Sequence, residues 1–424
     1  MQIEYIFVFI YTCLLFWLLP HASFVKNAQL TPKVVRLLLF FKLSVALLCS
    51  CYFFNFVLIS DYKVYHEEGL FEYNQLLKDP VLFFTDFNKD IKQYGLGGFW
   101  ETSNSFWGYL KYHLLGKFVA LLNLFSRGNF YLNAILFSSF TFLGHIAFYR
   151  LFSDIYHNRK RLVLGICFIL PSVLMYTACA HKDGIIFISL AFASLCFYWF
   201  LKNGRTLNFK MAVCFGVAVF IIFLFRNYVL LAMLPAMAVA IVVSRRKRYK
   251  LITGVAFYSF FIFLFFLTGS LNSSLNLPAA VIKRKADFAV LEKGNTNLQM
   301  HDLQPTVASF VKNMPQAINH VLLRPYPLEF NNTGVLLAAL ELYFYLSLIL
   351  YMGFQLLKEK RKLHSIHPFN IYGFAFFISM IFIIGYTIPN MGAITRYRSI
   401  VWVFLLCPLV CNLSLTAKWE KKLS

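Results

Sequence analysis

Residues 211–250 read MAVCFGVAVFIIFLFRNYVLLAMLPAMAVAIVVSRRKRYK, and this stretch decides the fold. From Met211 to Ser244 the only charged residue is Arg226, and the run stops at Arg245-Arg246-Lys247-Arg248. About 20 apolar residues are enough to cross a bilayer, so a run this long reads as two crossings that meet at Arg226-Asn227. The basic cluster at its end marks the cytoplasmic side, because Lys and Arg are retained there.

Working outward, further apolar stretches fall at about 4–20, 37–59, 130–152, 162–180, 184–201, 251–269, 335–357, 368–387 and 399–415. With the two halves of the opening run, at about 208–225 and 228–244, they give about eleven crossings. The expected fold is an all-α polytopic membrane protein, with residues 1–424 forming one membrane domain. Composition agrees: 59% of the 424 residues are hydrophobic and 14% charged, with 50 Phe and 24 Tyr. A soluble domain carries about a quarter of its residues charged.

The net charge of +22 invites a nucleic-acid reading. Its distribution excludes one. Basic clusters follow each odd-numbered span: Lys26/Lys33/Arg36, Arg159–Arg161, Lys202/Arg205/Lys210, Arg245–Lys250, Lys358–Lys362 and Lys418–Lys422. They leave about +19 on one side of the membrane and about +3 on the other, the pattern of the positive-inside rule. That rule puts the N-terminus outside and the C-terminus in the cytoplasm, and the size fits a bacterial inner membrane. The first apolar segment lacks the basic start and small-residue cleavage site of a signal peptide, so it is expected to remain as a helix. All nine cysteines lie in or beside apolar spans without metal-ligand spacing, and read as small packing residues.

Two long segments, 60–129 and 270–334, then face outward. In the first, Leu70, Phe71, Tyr73, Leu76 and Leu77 recur at helical spacing, as do Phe106, Tyr109, Leu110, His113, Leu114 and Phe118, with Lys111 and Lys117 offset. Such helices lie in the headgroup plane. Trp100 and Trp107 suit that depth. The glycine-rich stretch at 94–98 has no preceding strand and is no nucleotide fingerprint. In the second segment, Lys283-Arg284-Lys285 sits on a helical patch. A helix over about 305–323 leads into Arg324-Pro325-Tyr326-Pro327, where proline stops it. The Asn331-Asn332-Thr333 triplet carries little weight.

The outward junctions hold the residues that could carry chemistry. Asp61 follows the second span and is itself followed by Tyr62 and Tyr65. It reads as a helix-end marker, as a base for a hydroxyl nucleophile, or as a ligand for a divalent cation. His181-Lys182-Asp183 fills a very tight junction. Asp183 there suits a helix N-terminus, whereas Lys182 has no such explanation. Arg226 costs about 3 kcal/mol near hydrocarbon unless it snorkels, binds a phosphate or pairs with Asp183. Arg324, Arg396 and Arg398 lie outward against the positive-inside rule, and guanidinium forks suit phosphate. Lys42 and Glu341 fall inside spans.

This pattern resembles the GT-C glycosyltransferases, and within them bacterial membrane proteins of surface-polysaccharide assembly. The likeness rests on a long first outer loop opening at Asp61, interfacial helices within it, the run Pro171-Ser172 to Lys182-Asp183, then Arg324-Pro325-Tyr326-Pro327 and Arg396-Tyr397-Arg398. It implies a polyprenyl-phosphate or polyprenyl-pyrophosphate sugar donor and a glycan or lipid acceptor. It also implies Asp61 as base or metal ligand, with Lys182, Arg226, Arg396 and Arg398 holding the donor phosphate. Two features depart from the pattern: the acidic loop follows the second helix, and Asp61 has no adjacent acid. An O-antigen-type polymerase would rely instead on Lys283, Arg284, Lys285 and Arg324. A lipid-linked glycan transporter would place charges at mid-membrane and show internal repeats.

Overall fold

Helices begin where a capping side chain precedes proline or a polar first turn. Thr31 accepts from the Val34 amide ahead of Pro32, Asp79 from Leu82 ahead of Pro80, and His367 from Phe369 ahead of Pro368. Each cap satisfies an amide left orphaned at a helix start, and proline there loses no hydrogen bond. Ser60 caps the helix Asp61–Lys78 in the same way, through the Lys63 amide.

The computed structural model describes residues 2–57, 60–87, 95, 106–246, 249–271, 276–290, 296–329, 333–359 and 367–412. Among these the structure is helical, with a single isolated bridge between Asn297 and Asn390. Outside the described residues lie the 94–98 stretch apart from Gly95, Trp100, Asn331 and Asn332, and the basic residues at 247–248, 360–362 and 418–422.

The chain is a polytopic membrane protein. Among the described residues, seven helices are long and apolar enough to cross a bilayer, or eight if the pair Met391–Ser399 and Trp402–Cys411, bent by 56°, forms one span. Three stretches account for the difference from about eleven. The first forms the 20-residue helix Gln2–His21, of which Ile6–His21 counts as a shorter apolar helix. The stretch expected at 162–180 is broken into Lys160–Ile169 and Pro171–Tyr176, because Pro171 cannot continue a helix. The opening run forms one 36-residue helix, Phe209–Ser244, interrupted at Arg226 where φ is −150° and ψ 73°. A straight helix of that length would span about 54 Å against a hydrocarbon core of ~30 Å, so the break divides it into halves near the lower limit for crossing.

The chain forms two compact units: one of Met1–Leu151, Cys167–Cys196 and Phe209–Arg226, the other of Phe152–Ile166, Phe197–Asn208 and Asn227–Ser424. In the first unit, small residues bring helices together. A Cβ on Gly184 would stand 2.5 Å from Phe137, and one on Gly144 would stand 2.9 Å from Phe187. Glycine thus closes the helices Phe130–Ile155 and Lys182–Lys202 onto each other, as in other membrane bundles. Gly69 does the same for Asp61–Lys78 against Phe106–Ser126, where a Cβ would meet Val119 Cγ1 at 2.3 Å. Around that contact Asn123 donates to the Gly69 carbonyl at 3.0 Å, and Asn133 donates to Asn123 at 2.6 Å. The second unit has lipid-facing helices: only 6% of the apolar window of Lys250–Ser270 and 17% of that of Thr333–Gln355 is buried.

Candidate functional site

Asp61 opens its helix, so its carboxylate stands at a positive helix end. Its side chain is 49% exposed, and Oδ2 lies 3.3 Å from Nε2 of His181. His181 is fully buried, with Tyr62 and Tyr65 ring centroids at 5.1 and 5.3 Å from its own. Its other nitrogen, Nδ1, lies 2.9 Å from Oδ2 of Asp183, in the first turn of Lys182–Lys202. Oδ1 of Asp183 is paired with the guanidinium of Arg226, at the break in its helix. Residues from distant parts of the chain thus form one row, Asp61–His181–Asp183–Arg226. Pairing of Arg226 with Asp183 was one of the alternatives open from sequence.

Nδ1 of His181 accepts the Asp183 backbone amide at 3.1 Å, which leaves Nε2 as the nitrogen that donates towards Asp61 Oδ2 at 3.3 Å. Because Asp61 and Asp183 reach opposite ring nitrogens, the three side chains do not converge on one metal ion.

Lys182 lies beside this row, its Nζ 5.9 Å from the Tyr65 ring centre. His66, one residue further, has its imidazole pKa lowered by burial, with Glu67 opposing. A cavity lined by Tyr62, His66, Phe130, Asn133 and Ala180 has room for about one water. That is too small for a sugar.

Arg324, Arg396 and Arg398 belong to the second unit. Arg398 is buried and donates to the carbonyls of Val321 at 2.6 Å and Arg324 at 2.9 Å, so it pins the turn before Pro325. Arg324 lies 3.5 Å from Glu329 and over the Tyr326 ring at 5.2 Å. Arg396 stands over Tyr397 at 5.4 Å. Close by, Arg284 stands over Tyr228 at 4.2 Å, and the rings of Tyr228 and Tyr397 are 6.1 Å apart.

Two buried groups were not evident from sequence. Lys117, expected on an exposed face, is instead 5% exposed: it donates to Glu72 at 3.0 Å and to the Phe83 carbonyl at 2.5 Å, with the Phe83 ring centre at 4.4 Å. Burial raises the Glu72 pKa, but contacts from His113 and Lys117 outweigh it and hold the carboxyl below its usual range. The signal was present as two four-residue spacings, Glu68/Glu72 and His113/Lys117, which put one charged face on each helix. The second group is Lys42, 1% exposed, whose ammonium donates to Thr177 Oγ1 at 2.8 Å, where the chain has unwound beyond Tyr176. Comparison of the chain with protein-family models, with curated proteins and with solved structures finds no match to any of them.

Proposed function

We propose that the chain is a GT-C-like membrane glycosyltransferase of about eleven spans, using a polyprenyl-phosphate-linked sugar at the outer face of a bacterial inner membrane. The observation that supports it most is the row Asp61–His181–Asp183–Arg226, with a half-exposed carboxylate at its open end. Four groups aligned so that a buried pair orients an imidazole, and the imidazole in turn holds a carboxylate, form an acid–base arrangement.

In this reading, Asp61 accepts the proton of an acceptor hydroxyl as its oxygen bonds to the anomeric carbon. The bond from that carbon to the donor phosphate breaks, and the phosphate leaves with the electron pair. Lys182 is the cation placed to meet that developing charge. Arg226 acts as a positioning residue because Asp183 occupies it, and Arg398 supports the fold through its carbonyl contacts.

A second reading, a polysaccharide polymerase working through arginines of the 270–334 segment, draws on Arg284 and Arg324 standing over the Tyr228 and Tyr326 rings. The experiment is complementation of a deletion strain, scored on surface-glycan gels and on lipid-linked intermediates. A transferase deletion changes the repeat unit and accumulates a lipid-linked sugar. A polymerase deletion keeps single complete repeats and loses only the ladder. An unprocessed complete glycan held on the cytoplasmic side would instead mark a transporter.

A further inference from the structure

The helices Asp61–Lys78 and Phe106–Ser126 enclose a polar group that the proposed transfer does not use. Glu68 and Glu72 are one turn apart on the first helix, and His113 projects from the second. One ligand atom from each of the three lies within 4.8 Å of the other two. Glu72 and His113 are each 1% exposed, and Glu68 is partly buried.

Three features of the surroundings point to an ion. First, Nδ1 of His113 stands 3.5 Å from Oε1 of Glu72. That is long for a hydrogen bond, yet it matches the edge of about 3.4 Å between ligands of one tetrahedral ion with bonds of ~2.1 Å. Second, Gly116 supplies the space that both glutamates enter: a Cβ there would stand 2.7 Å from Cγ of Glu68 and 3.4 Å from Cγ of Glu72. Third, each carboxylate has outer support, Glu72 Oε2 from Lys117 at 3.0 Å and Glu68 Oε2 from the Tyr112 hydroxyl at 3.3 Å. Such support orients a ligating carboxylate.

We propose that Glu68, Glu72 and His113 form a binding site for one divalent transition-metal ion, zinc or manganese, that fastens these two helices together. Lys117 and Tyr112 are its positioning residues. The mixed imidazole and carboxylate set disfavours calcium and magnesium, which take oxygen ligands. Three protein ligands leave a coordination position for water. The inference does not depend on the transferase reading, since its readout is binding.

The test uses the full-length protein, purified into nanodiscs and stripped with a chelator, then titrated calorimetrically with Zn²⁺ and separately with Mn²⁺. Wild type is expected to bind one ion per chain and to unfold at a higher temperature once loaded. Glu68→Gln and His113→Gln are each expected to weaken binding about ten- to a hundred-fold and to abolish the ion-induced rise. Tyr112→Phe, which removes only an outer hydrogen bond, is a milder variant expected to weaken binding several-fold should the others fold poorly. Failure of wild type to bind either ion saturably would overturn the proposal, as would affinity unchanged in all three variants.

Discussion

Replacing Arg226 by Met tests whether the row is held together as its geometry demands. Arg226 and Asp183 are 3% and 2% exposed at the side chain, so neither has water to fall back on. Removing one partner of such a pair leaves a buried charge, which costs about 3–5 kcal/mol. Removing both charges in Arg226→Met with Asp183→Asn takes away that penalty and keeps the residue-183 backbone amide on His181 Nδ1. The double variant is therefore expected to be more stable than Arg226→Met alone, with a coupling of at least about 2 kcal/mol. Equilibrium unfolding in mixed micelles of the wild type, both singles and the double closes the cycle. The reasoning is refuted if Arg226→Met costs under ~1 kcal/mol, or if the two single losses simply add.

Three further expectations concern packing, pH and the pinned turn. Gly69→Ala drives a methyl into Val119 at 2.3 Å and should cost about 1–3 kcal/mol, whereas Gly165→Ala meets nothing within 4 Å and should be neutral or stabilising; thermal unfolding separates them. His320, at 3% exposure, has its pKa lowered to about 4 by burial and by Arg324. Its folded state binds protons less readily than an unfolded chain does. The stability it contributes is therefore complete above about pH 6.5 and lost as pH falls from there towards 4, by about 3 kcal/mol, and His320→Asn should flatten that slope in unfolding measured across pH. Arg398→Met removes the nitrogen that donates to both carbonyls and leaves them unpaired; it should lower the unfolding midpoint without changing the products of any transfer reaction.

The membrane class was legible from the run 211–250 and from the side on which basic clusters fall, because bilayer thickness and charge retention act on local sequence. The span boundaries were less so. Pro171 breaks its helix and Arg226 interrupts another without ending it, and both outcomes depend on neighbours that hydropathy does not include. Within the candidate site, His181, Lys182, Asp183 and Arg226 drew attention because charges at tight membrane junctions need partners. That Asp61 would meet His181 was not legible: 120 residues separate them, and only tertiary packing selects the pair. The offset of Lys117 from an apolar stripe suggested exposure, since periodicity gives a face of the helix but not what covers it. The stripe through Glu68 and Glu72 covers it here. Arg398 drew attention as a phosphate ligand by residue type, and its bonds to two backbone carbonyls were not legible because they depend on tertiary packing.

The central claim is that the Asp61 carboxylate does chemistry and is not merely a helix-end charge. Its direct test is the surface-glycan profile of a deletion strain carrying wild type, Asp61→Asn or Asp61→Glu at matched membrane abundance. Asp61→Asn keeps the helix-start geometry and a hydrogen-bonding group for His181 but removes the base. The account predicts that it fails to restore the profile and accumulates the lipid-linked donor, while Asp61→Glu restores part of it. Full restoration by Asp61→Asn would contradict the account and leave Asp61 as a charge in the first turn of its helix.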